Sequence, residues 1–214
     1  MILSRLYPII DFAAFASQAD PVDSVLRFAE VLLRGRATLI QFRDKSGDAA
    51  RMLSCARELR RVTRKRASLI INDRADICLA AQADGVHLGQ DDLSPAAARK
   101  ILSEEGKKQS RPLVVGFSTH NLDQVREANL MPIDYVAVGP VFSTASKANP
   151  DPVIGLEGVW RARAATAKPL VAIGGITRKN CVQVREAGAD SVAVISDLLE
   201  SPVKAVEEFL RILG

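Results

Sequence analysis

Two aspartates, each placed just after a short apolar run, are the residues of this sequence best suited to hold a metal ion. Asp73 follows the run 69–71, and Asp92 follows the run 85–88. If both runs are parallel strands, their carboxyl ends meet at one edge, where α/β proteins bind ligands. Neighbouring carboxylates repel unless a cation lies between them, and Mg²⁺ is commonly held by one or two carboxylates plus substrate phosphates. We therefore expect a Mg²⁺ site; the alternative, that each aspartate caps the following helix, stays open.

A second group combines an amide with two cations at alternate positions. Gln41, Arg43 and Lys45 follow the apolar run 38–40. If the strand continues through them, the three side chains point into the same space. Converging cations of this kind suit a diphosphate. A basic loop in solvent is the alternative, which the alternation disfavours.

The longest predicted loop, residues 139–152, is rich in small hydroxyl residues. It carries Ser143, Thr144 and Ser146, followed by Lys147. Hydroxyls and a lysine on a long loop fit a mobile lid over an anionic substrate. The alternative is that this segment is an exposed loop without a role, and its length alone does not exclude that.

Backbone groups at two further strand ends are candidates for a phosphate monoester site. Gly174 and Gly175 follow the run 170–173, and Ser196 follows the run 191–195. Parallel barrels often bind phosphate after their last two strands through backbone N–H groups. Glycine allows the backbone to approach a ligand closely.

The two histidines give a weaker signal. His87 lies within an apolar run, where a buried histidine with a satisfied hydrogen bond is expected. His120 lies two residues after Ser118 on a predicted rim loop, and both proton transfer and a structural hydrogen bond stay open. No Ser-His-Asp or Cys-His arrangement stands out, and no predicted strand contains the lysine that a Schiff-base aldolase requires.

These residues need a scaffold that brings many strand ends together, and the chain repeats a strand–helix pattern eight times. The predicted strands are 6–10, 38–40, 69–71, 85–88, 113–115, 134–138, 170–173 and 191–195. The predicted helices are 23–34, 48–64, 75–83, one beginning at Ser94-Pro95, 121–129, 156–167, 180–187 and 203–213. Eight units close a parallel (β/α)8 TIM barrel with its active site at the carboxyl ends of the strands. An open doubly wound sheet would normally carry a glycine-rich turn after the first strand, and here that turn is Asp11-Phe12-Ala13-Ala14.

Composition narrows the class of protein. The 214 residues are 48% hydrophobic, enough for one domain spanning 1–214. The net charge of +4 is small and no basic run is interleaved with aromatic residues, so nucleic acid is not an expected partner. Cys55, Cys78 and Cys181 are widely spaced, which predicts free buried thiols. No secretory signal and no membrane-spanning apolar run is seen, so we expect a cytoplasmic protein.

Seven motifs together resemble the thiamine-phosphate synthase family over about residues 6–196. The motifs are Leu6-Tyr7-x-x-x-Asp11, Gln41-x-Arg43-x-Lys45, Ile71-Asn72-Asp73-Arg74, Gly85-Val86-His87-Leu88-Gly89-Gln90-x-Asp92, Gly116-x-Ser118-x-His120, Gly139-Pro140-Val141-Phe142-x-Thr144-x-Ser146-Lys147 and Ile173-Gly174-Gly175-Ile176. The Asn-Asp and Gly-Gln-x-Asp elements are the most specific of them.

The resemblance implies a transferase that joins hydroxymethylpyrimidine diphosphate to a thiazole phosphate and releases diphosphate through a pyrimidine carbocation. It implies a pyrimidine diphosphate site formed by Gln41, Phe42, Arg43, Asp44, Lys45, Asn72, Ser118 and Lys147, of which Arg43, Lys45, Ser118 and Lys147 act in catalysis. It implies that Asp73 and Asp92 bind Mg²⁺. It implies a thiazole phosphate site formed by Thr144, Ala145, Ser146, Gly175, Ile195 and Ser196.

The sequence departs from the family pattern in the predicted lid. Ser143 stands where the family often has proline, Ala145 where it often has an acidic residue, and Ser146 where it often has threonine. Serine leaves the open loop more conformational freedom than proline does. We therefore expect residues 143–152 to order over the site, with Lys147 pointing inward, only when diphosphate is bound.

Two rival functions remain at this point. The thiazole tautomerases share the barrel but typically lack the Asn-Asp and Gly-Gln-x-Asp elements present here. A non-catalytic barrel that senses a phosphorylated metabolite need not keep a carboxylate pair and diphosphate cations. The sequence leaves the oligomeric state open, a homo-oligomer included.

Overall fold

The predicted strand–helix units close into a barrel. The computed structural model describes residues 3–108, 112–144 and 151–214. Within them the strands are β1 (Leu6–Asp11), β2 (Leu39–Arg43), β3 (Ser68–Asn72), β4 (Gly85–Leu88), β5 (Val114–Thr119), β6 (Tyr135–Val138), β7 (Leu170–Ile173) and β8 (Ser191–Val194). All are parallel, each pairs with the next, and β8 pairs with β1. The (β/α)8 barrel is thus confirmed, and the open doubly wound sheet is excluded.

Helices follow the strands and cover the outside of the barrel. They are α1 (Pro21–Arg34), α2 (Ala49–Thr63), α3 (Ala75–Ala80), α4 (Pro95–Lys108), α5 (Leu122–Ala128), α6 (Gly155–Ala165), α7 (Cys181–Glu186) and α8 (Pro202–Leu213), with short 3-10 helices at Phe12–Ala14 and Ser196–Leu198. Within the described residues, no helix combines the length and apolarity needed to cross a bilayer.

Alternation along the strands creates two hydrophobic cores. Outward side chains such as Ile10, Ile40 and Phe42 pack beneath the helices. Inward side chains form a separate cluster, which consists of Leu3, Tyr7, Ile9, Leu39, Ile70, Tyr135, Ala137, Val171 and Ala193. Because strand side chains alternate between the two faces, most of the strands contribute to both cores. The inward cluster forms a packed floor below the carboxyl ends of the strands.

Several element boundaries differ from the predictions, and two of the differences have an identifiable reason. α1 begins at Pro21 rather than at residue 23, because Asp20 caps it by accepting a hydrogen bond from the Asp23 N–H at 3.0 Å. β5 continues past residue 115 to Thr119, because its ladder with β6 extends to that point. Ser118 therefore lies on a strand rather than on a loop, and its side chain faces the barrel interior.

Gly116 makes room for one of the two tyrosine side chains inside the barrel. A Cβ atom at this position would overlap the phenol ring of Tyr135. The ring packs edge-on against Tyr7, with centroids 6.1 Å apart, and stacks on the imidazole of His87, with centroids 5.6 Å apart. A glycine in the middle of β5 thus lets three aromatic rings meet at the floor of the barrel.

Candidate active site

A cavity of about 460 Å³ opens at the carboxyl ends of the strands. The predicted site residues that line it are Gln41, Arg43, Lys45, Asn72, Asp73, Asp92, Ser118, Thr144, Gly175, Ile195 and Ser196. The structure therefore brings the predicted metal, diphosphate and phosphate residues around one space.

Five of the residues carried over from the family do not contribute described side chains to this cavity. Phe42 is fully buried in the outer core, and Asp44 accepts hydrogen bonds from the Ser46 N–H and from Arg51. The same alternation that directs Gln41 inward turns these two side chains outward, so neither lines this cavity, contrary to what the resemblance implies. Ala145, Ser146 and Lys147 lie outside the described residues, and the ordering of the lid stays a prediction.

Asp73 and Asp92 face the cavity from the ends of β3 and β4. Asp73 has a left-handed backbone, with φ of 63°, and its N–H donates to the carbonyl oxygen of His87 at 2.7 Å. Asp92 accepts a hydrogen bond from the N–H of Gly89 at 2.7 Å. Neither caps a helix: α3 has no side-chain cap, and at α4 the Ser94 hydroxyl accepts from the Ala97 N–H. The capping alternative is therefore wrong for both aspartates.

The electrostatics of this pair favour a bound cation. Burial, together with a hydrogen bond to the carboxyl group of Asp92, raises the pKa of Asp73 to about 6, and the ammonium of Lys45 opposes that rise. Within the described residues, no three His, Cys, Asp or Glu side chains converge on one point. Two oxygen-bearing groups with room for water and phosphate match the way proteins hold Mg²⁺.

Arg43 is held in place by an aspartate to which the sequence assigned no role. Its Nη1 donates to Asp11 Oδ2 at 2.5 Å, and Asp11 Oδ1 accepts a hydrogen bond from the Ala13 N–H at 3.3 Å. Asp11 and Arg43 lie opposite each other in the β1–β2 ladder. The signal was available, because an acidic and a basic residue end two strands predicted to be neighbours.

The opposite wall is formed by the ends of β7 and β8 and by the start of the long loop. The N–H groups of Val141 and Phe142 donate to the carbonyl oxygens of Ile173 and Gly174 at 2.9 and 3.0 Å. Gly175 has φ of 63°, and a Cβ there would lie 2.5 Å from the carbonyl oxygen of Ser143. The glycine therefore admits the loop backbone, and the described start of the loop is anchored to β7.

The two histidines occupy different settings on the cavity wall. His87 is buried, with Nδ1 2.9 Å from the Tyr135 hydroxyl and Nε2 2.8 Å from the Ser118 hydroxyl. This matches a core histidine with satisfied hydrogen bonds, although it also lines the cavity. His120 donates from Nδ1 to the carbonyl oxygen of Gly139 at 2.8 Å, and Asp151 Oδ2 lies 3.4 Å from the same nitrogen.

Several lining residues were assigned no role from the sequence. They include Tyr7, Gln90, Gln124 and Asp151. Tyr7 shares the inward face of β1 with Ile9, so a polar aromatic side chain on an inward face was the available signal. Asp151 comes from a loop, whose position no local pattern predicts.

Comparison with known proteins gives a consistent result. The family described as thiamine monophosphate synthase matches residues 6–198. A thiamine-phosphate synthase of Koribacter versatilis is 49% identical over 211 residues, covering 99% of this chain and 96% of that protein. A second, from Methanoregula boonei, is 41% identical, covering 92% of this chain and 86% of that protein. The solved structure of thiamine phosphate pyrophosphorylase from Pyrococcus furiosus has a TM-score of 0.81 at 32% identity, covering 98% of this chain and 95% of that chain.

Proposed function

The chain belongs to the thiamine monophosphate synthase family and is a transferase, and we propose that the cavity at its strand ends joins hydroxymethylpyrimidine diphosphate to a thiazole phosphate. This assignment replaces the two rival functions, a thiazole tautomerase and a non-catalytic barrel that senses a phosphorylated metabolite. One observation supports the proposal most strongly. The carboxylates of Asp73 and Asp92, the cations Arg43 and Lys45, and the glycine turn at Gly175 surround one space.

The diphosphate end of the first substrate lies between β2 and β3 in this proposal. The bond from the pyrimidine methylene carbon to the diphosphate oxygen breaks, and its electron pair leaves with the diphosphate. Arg43 and Lys45 stabilise the charge that grows on the leaving group. Asp11 orients Arg43 for this contact through the 2.5 Å ion pair.

Asp73 and Asp92 are the residues that would hold Mg²⁺, and their oxygen donors and mutual repulsion fit a hard divalent cation. When bound, Mg²⁺ supplies positive charge that neutralises the departing diphosphate. Lys45 lies against Asp73 and would compete with the cation for that carboxylate.

The second substrate binds against the opposite wall. Backbone N–H groups around Gly175 and Ser196, with the Thr144 hydroxyl, hold its phosphate. The lone pair of the thiazole nitrogen forms the new bond to the methylene carbon. Gln41, Asn72 and Ser118 hold the pyrimidine ring between the two phosphate sites.

The three free buried cysteines fit a reducing compartment, and we place the enzyme in the cytoplasm.

The test is release of diphosphate on mixing both substrates, followed in parallel with formation of thiamine monophosphate. We expect equal amounts of the two products, dependence on both substrates, and loss of turnover when EDTA removes Mg²⁺. Turnover of the pyrimidine diphosphate that is insensitive to the thiazole phosphate would contradict the two-site assignment. Full activity in EDTA would contradict the role of the aspartate pair.

A further inference from the structure

Five side chains from five strands form one continuous chain of hydrogen bonds at the floor of the cavity. Gln41 Nε2 donates to the Tyr7 hydroxyl at 3.0 Å, and the Tyr7 and Tyr135 hydroxyls lie 3.0 Å apart. Tyr135 Oη is 2.9 Å from His87 Nδ1, and His87 Nε2 is 2.8 Å from Ser118 Oγ. Tyr7, Gln41, Tyr135 and His87 are all buried. We call these five residues the relay.

The direction of every bond in the relay follows from its first donor. Among the described residues the Tyr7 hydroxyl contacts two polar atoms, Gln41 Nε2 and Tyr135 Oη. Because the amide donates, the Tyr7 proton goes to Tyr135 Oη, and the Tyr135 proton in turn goes to His87 Nδ1. A buried imidazole between two hydroxyls, without a carboxylate in contact, is neutral, so Nε2 carries its proton. Nε2–H therefore donates to Ser118 Oγ.

The Ser118 oxygen accepts from His87, so the single hydroxyl proton of Ser118 is not used in this bond. The hydroxyl lies on the cavity wall. An oxygen that accepts from His87 directs its own proton away from the imidazole and into the cavity. The group of the substrate that meets this proton must consequently be an acceptor. The donor or acceptor character of Ser118 is thus set by residues that do not touch the substrate there.

We propose that Tyr7, Tyr135 and His87 are positioning residues that fix Ser118 as a hydrogen-bond donor to the pyrimidine diphosphate and couple it to Gln41. This inference rests on the proposed function for the identity of the ligand. The relay links both ends of the pyrimidine subsite, since Gln41 and Ser118 lie on β2 and β5. Gly116 supports the arrangement, because any side chain there would displace the ring of Tyr135.

The first test needs no substrate and leaves every residue of the relay unchanged. The sequence has two histidines, and the hydrogen bonds place them in opposite tautomers: His87 with its proton on Nε2, and His120 with its proton on Nδ1. Nitrogen-15 NMR of the imidazole rings in the wild-type protein at pH 8 reads both, with a His120→Gln variant to assign the signals. A proton on Nδ1 of His87 would overturn the relay, even in an active enzyme. An inactive protein with the expected tautomers would overturn the proposed function alone.

The second test asks whether Tyr135 acts through Ser118. Tyr135→Phe removes the hydroxyl and keeps the ring, and we expect about a fivefold lower kcat/KM for the pyrimidine diphosphate, as for one lost hydrogen bond. The KM for the thiazole phosphate should stay unchanged. In a Ser118→Ala background the same substitution should have no further effect, because its target is gone. Tyr7→Phe provides a second variant should Tyr135→Phe fold poorly.

The control is Thr119, a buried residue that lies on the same strand as Ser118 but does not belong to the relay. Thr119 Oγ1 donates to the Ala137 carbonyl oxygen at 2.8 Å and does not line the cavity. Thr119 and Ser118 do not share a hydrogen-bond partner. The factor by which Thr119→Val changes kcat/KM should therefore be the same in the wild type and in the Ser118→Ala background. If Tyr135→Phe also lowered kcat/KM by the same factor in the Ser118→Ala background as in the wild type, the role of Tyr135 would be structural and the proposal would fail.

Discussion

Lys45 Nζ lies 2.5 Å from Asp73 Oδ2, so a lysine assigned to the diphosphate is bonded to an aspartate assigned to the metal ion. The ammonium offsets part of the negative charge of the two carboxylates while no other cation is near. A divalent cation held by the two aspartates, as proposed, would therefore compete with Lys45 for the same carboxylate. A bound diphosphate would give the lysine a second anionic partner and relieve the competition.

Removal of this lysine should consequently affect metal binding and turnover in opposite directions. Lys45→Met should bind Mn²⁺ more tightly than the wild type in the absence of substrate, because a neighbouring positive charge is gone. The same variant should have a lower kcat/KM for the pyrimidine diphosphate. Electron paramagnetic resonance of free Mn²⁺ measures the first effect, and Lys65→Met, on an exposed turn after α2, is the control. Weaker Mn²⁺ binding in Lys45→Met would argue against the competition.

The aspartates themselves can be tested with little disturbance of the backbone. Asn accepts the left-handed φ of 63° at position 73 nearly as well as Asp does, so Asp73→Asn changes mainly the charge. We expect Asp73→Asn and Asp92→Asn each to cost ~3 kcal/mol of transition-state stabilisation, on the order of a hundredfold in kcat/KM. Turnover is measured across a Mg²⁺ titration, with Asp76→Asn on the exposed face of α3 as the matched change of charge. Wild-type turnover in both variants would remove the metal assignment.

Arg43 should act on the transition state more than on ground-state binding. Charge accumulates on the diphosphate as its bond to carbon breaks, so Arg43→Ala should lower kcat as well as raise KM. Asp11→Asn should produce a smaller loss of the same kind, because the guanidinium keeps a hydrogen-bond acceptor but loses its ion pair at 2.5 Å. Initial rates over a range of pyrimidine diphosphate concentrations separate the two parameters. An increase in KM alone would mean that Arg43 only binds substrate.

Two glycines with similar backbones offer a matched pair of substitutions. Gly47 and Gly175 have φ of 84° and 63°, but a Cβ at Gly47 meets nothing within 4 Å, whereas at Gly175 it lies 2.5 Å from Ser143 O. Gly47→Ala should lower the free energy of unfolding by about 1 kcal/mol through the backbone alone and keep full activity. Gly175→Ala should lose more stability and raise the KM for the thiazole phosphate. Equal effects of the two substitutions would show that the loop does not need this glycine.

Burial lowers the pKa of His87 to about 4 from its usual 6.5, which gives stability a defined pH dependence. Between these values the unfolded chain binds a proton that the folded chain does not, so stability is complete above pH 6.5 and falls as the pH approaches 4. In EDTA, the wild type should lose about 2 kcal/mol more than His87→Gln between pH 7.5 and pH 5. Urea unfolding of both proteins at several pH values measures the difference. Parallel curves would mean that His87 takes up its proton in the folded state.

The scaffold was predictable because its signals are local. Short apolar runs with polar ends predict buried parallel strands, and alternation correctly directs Gln41, Arg43 and Lys45 into one cavity. Phe42 and Asp44 were placed in the site by family resemblance, although the same alternation turns them outward. Residue-level periodicity was here the better guide than the motif as a whole.

The relay was not predictable, because it depends on contacts between distant parts of the chain. Tyr135 and His87 are 48 residues apart, and their contact follows from the register of three neighbouring strands. Gly116 weakens the signal of β5, which hid that Ser118 lies on a strand. The role of Gly116 becomes visible only when the ring that occupies its space is known.

The packed floor of the barrel has a consequence for the fate of the reactive pyrimidine. A carbocation reacts with whichever nucleophile reaches it first, and water competes with the thiazole nitrogen. Leu3, Leu39 and Ile70 are packed in the inward cluster of the barrel. In the proposed mechanism water therefore reaches the pyrimidine from the mouth of the cavity, where the thiazole phosphate would also enter. The two nucleophiles thus share one route, and the second substrate displaces its own competitor as it binds. Formation of the free pyrimidine alcohol should therefore be suppressed in proportion to occupancy of the thiazole phosphate site.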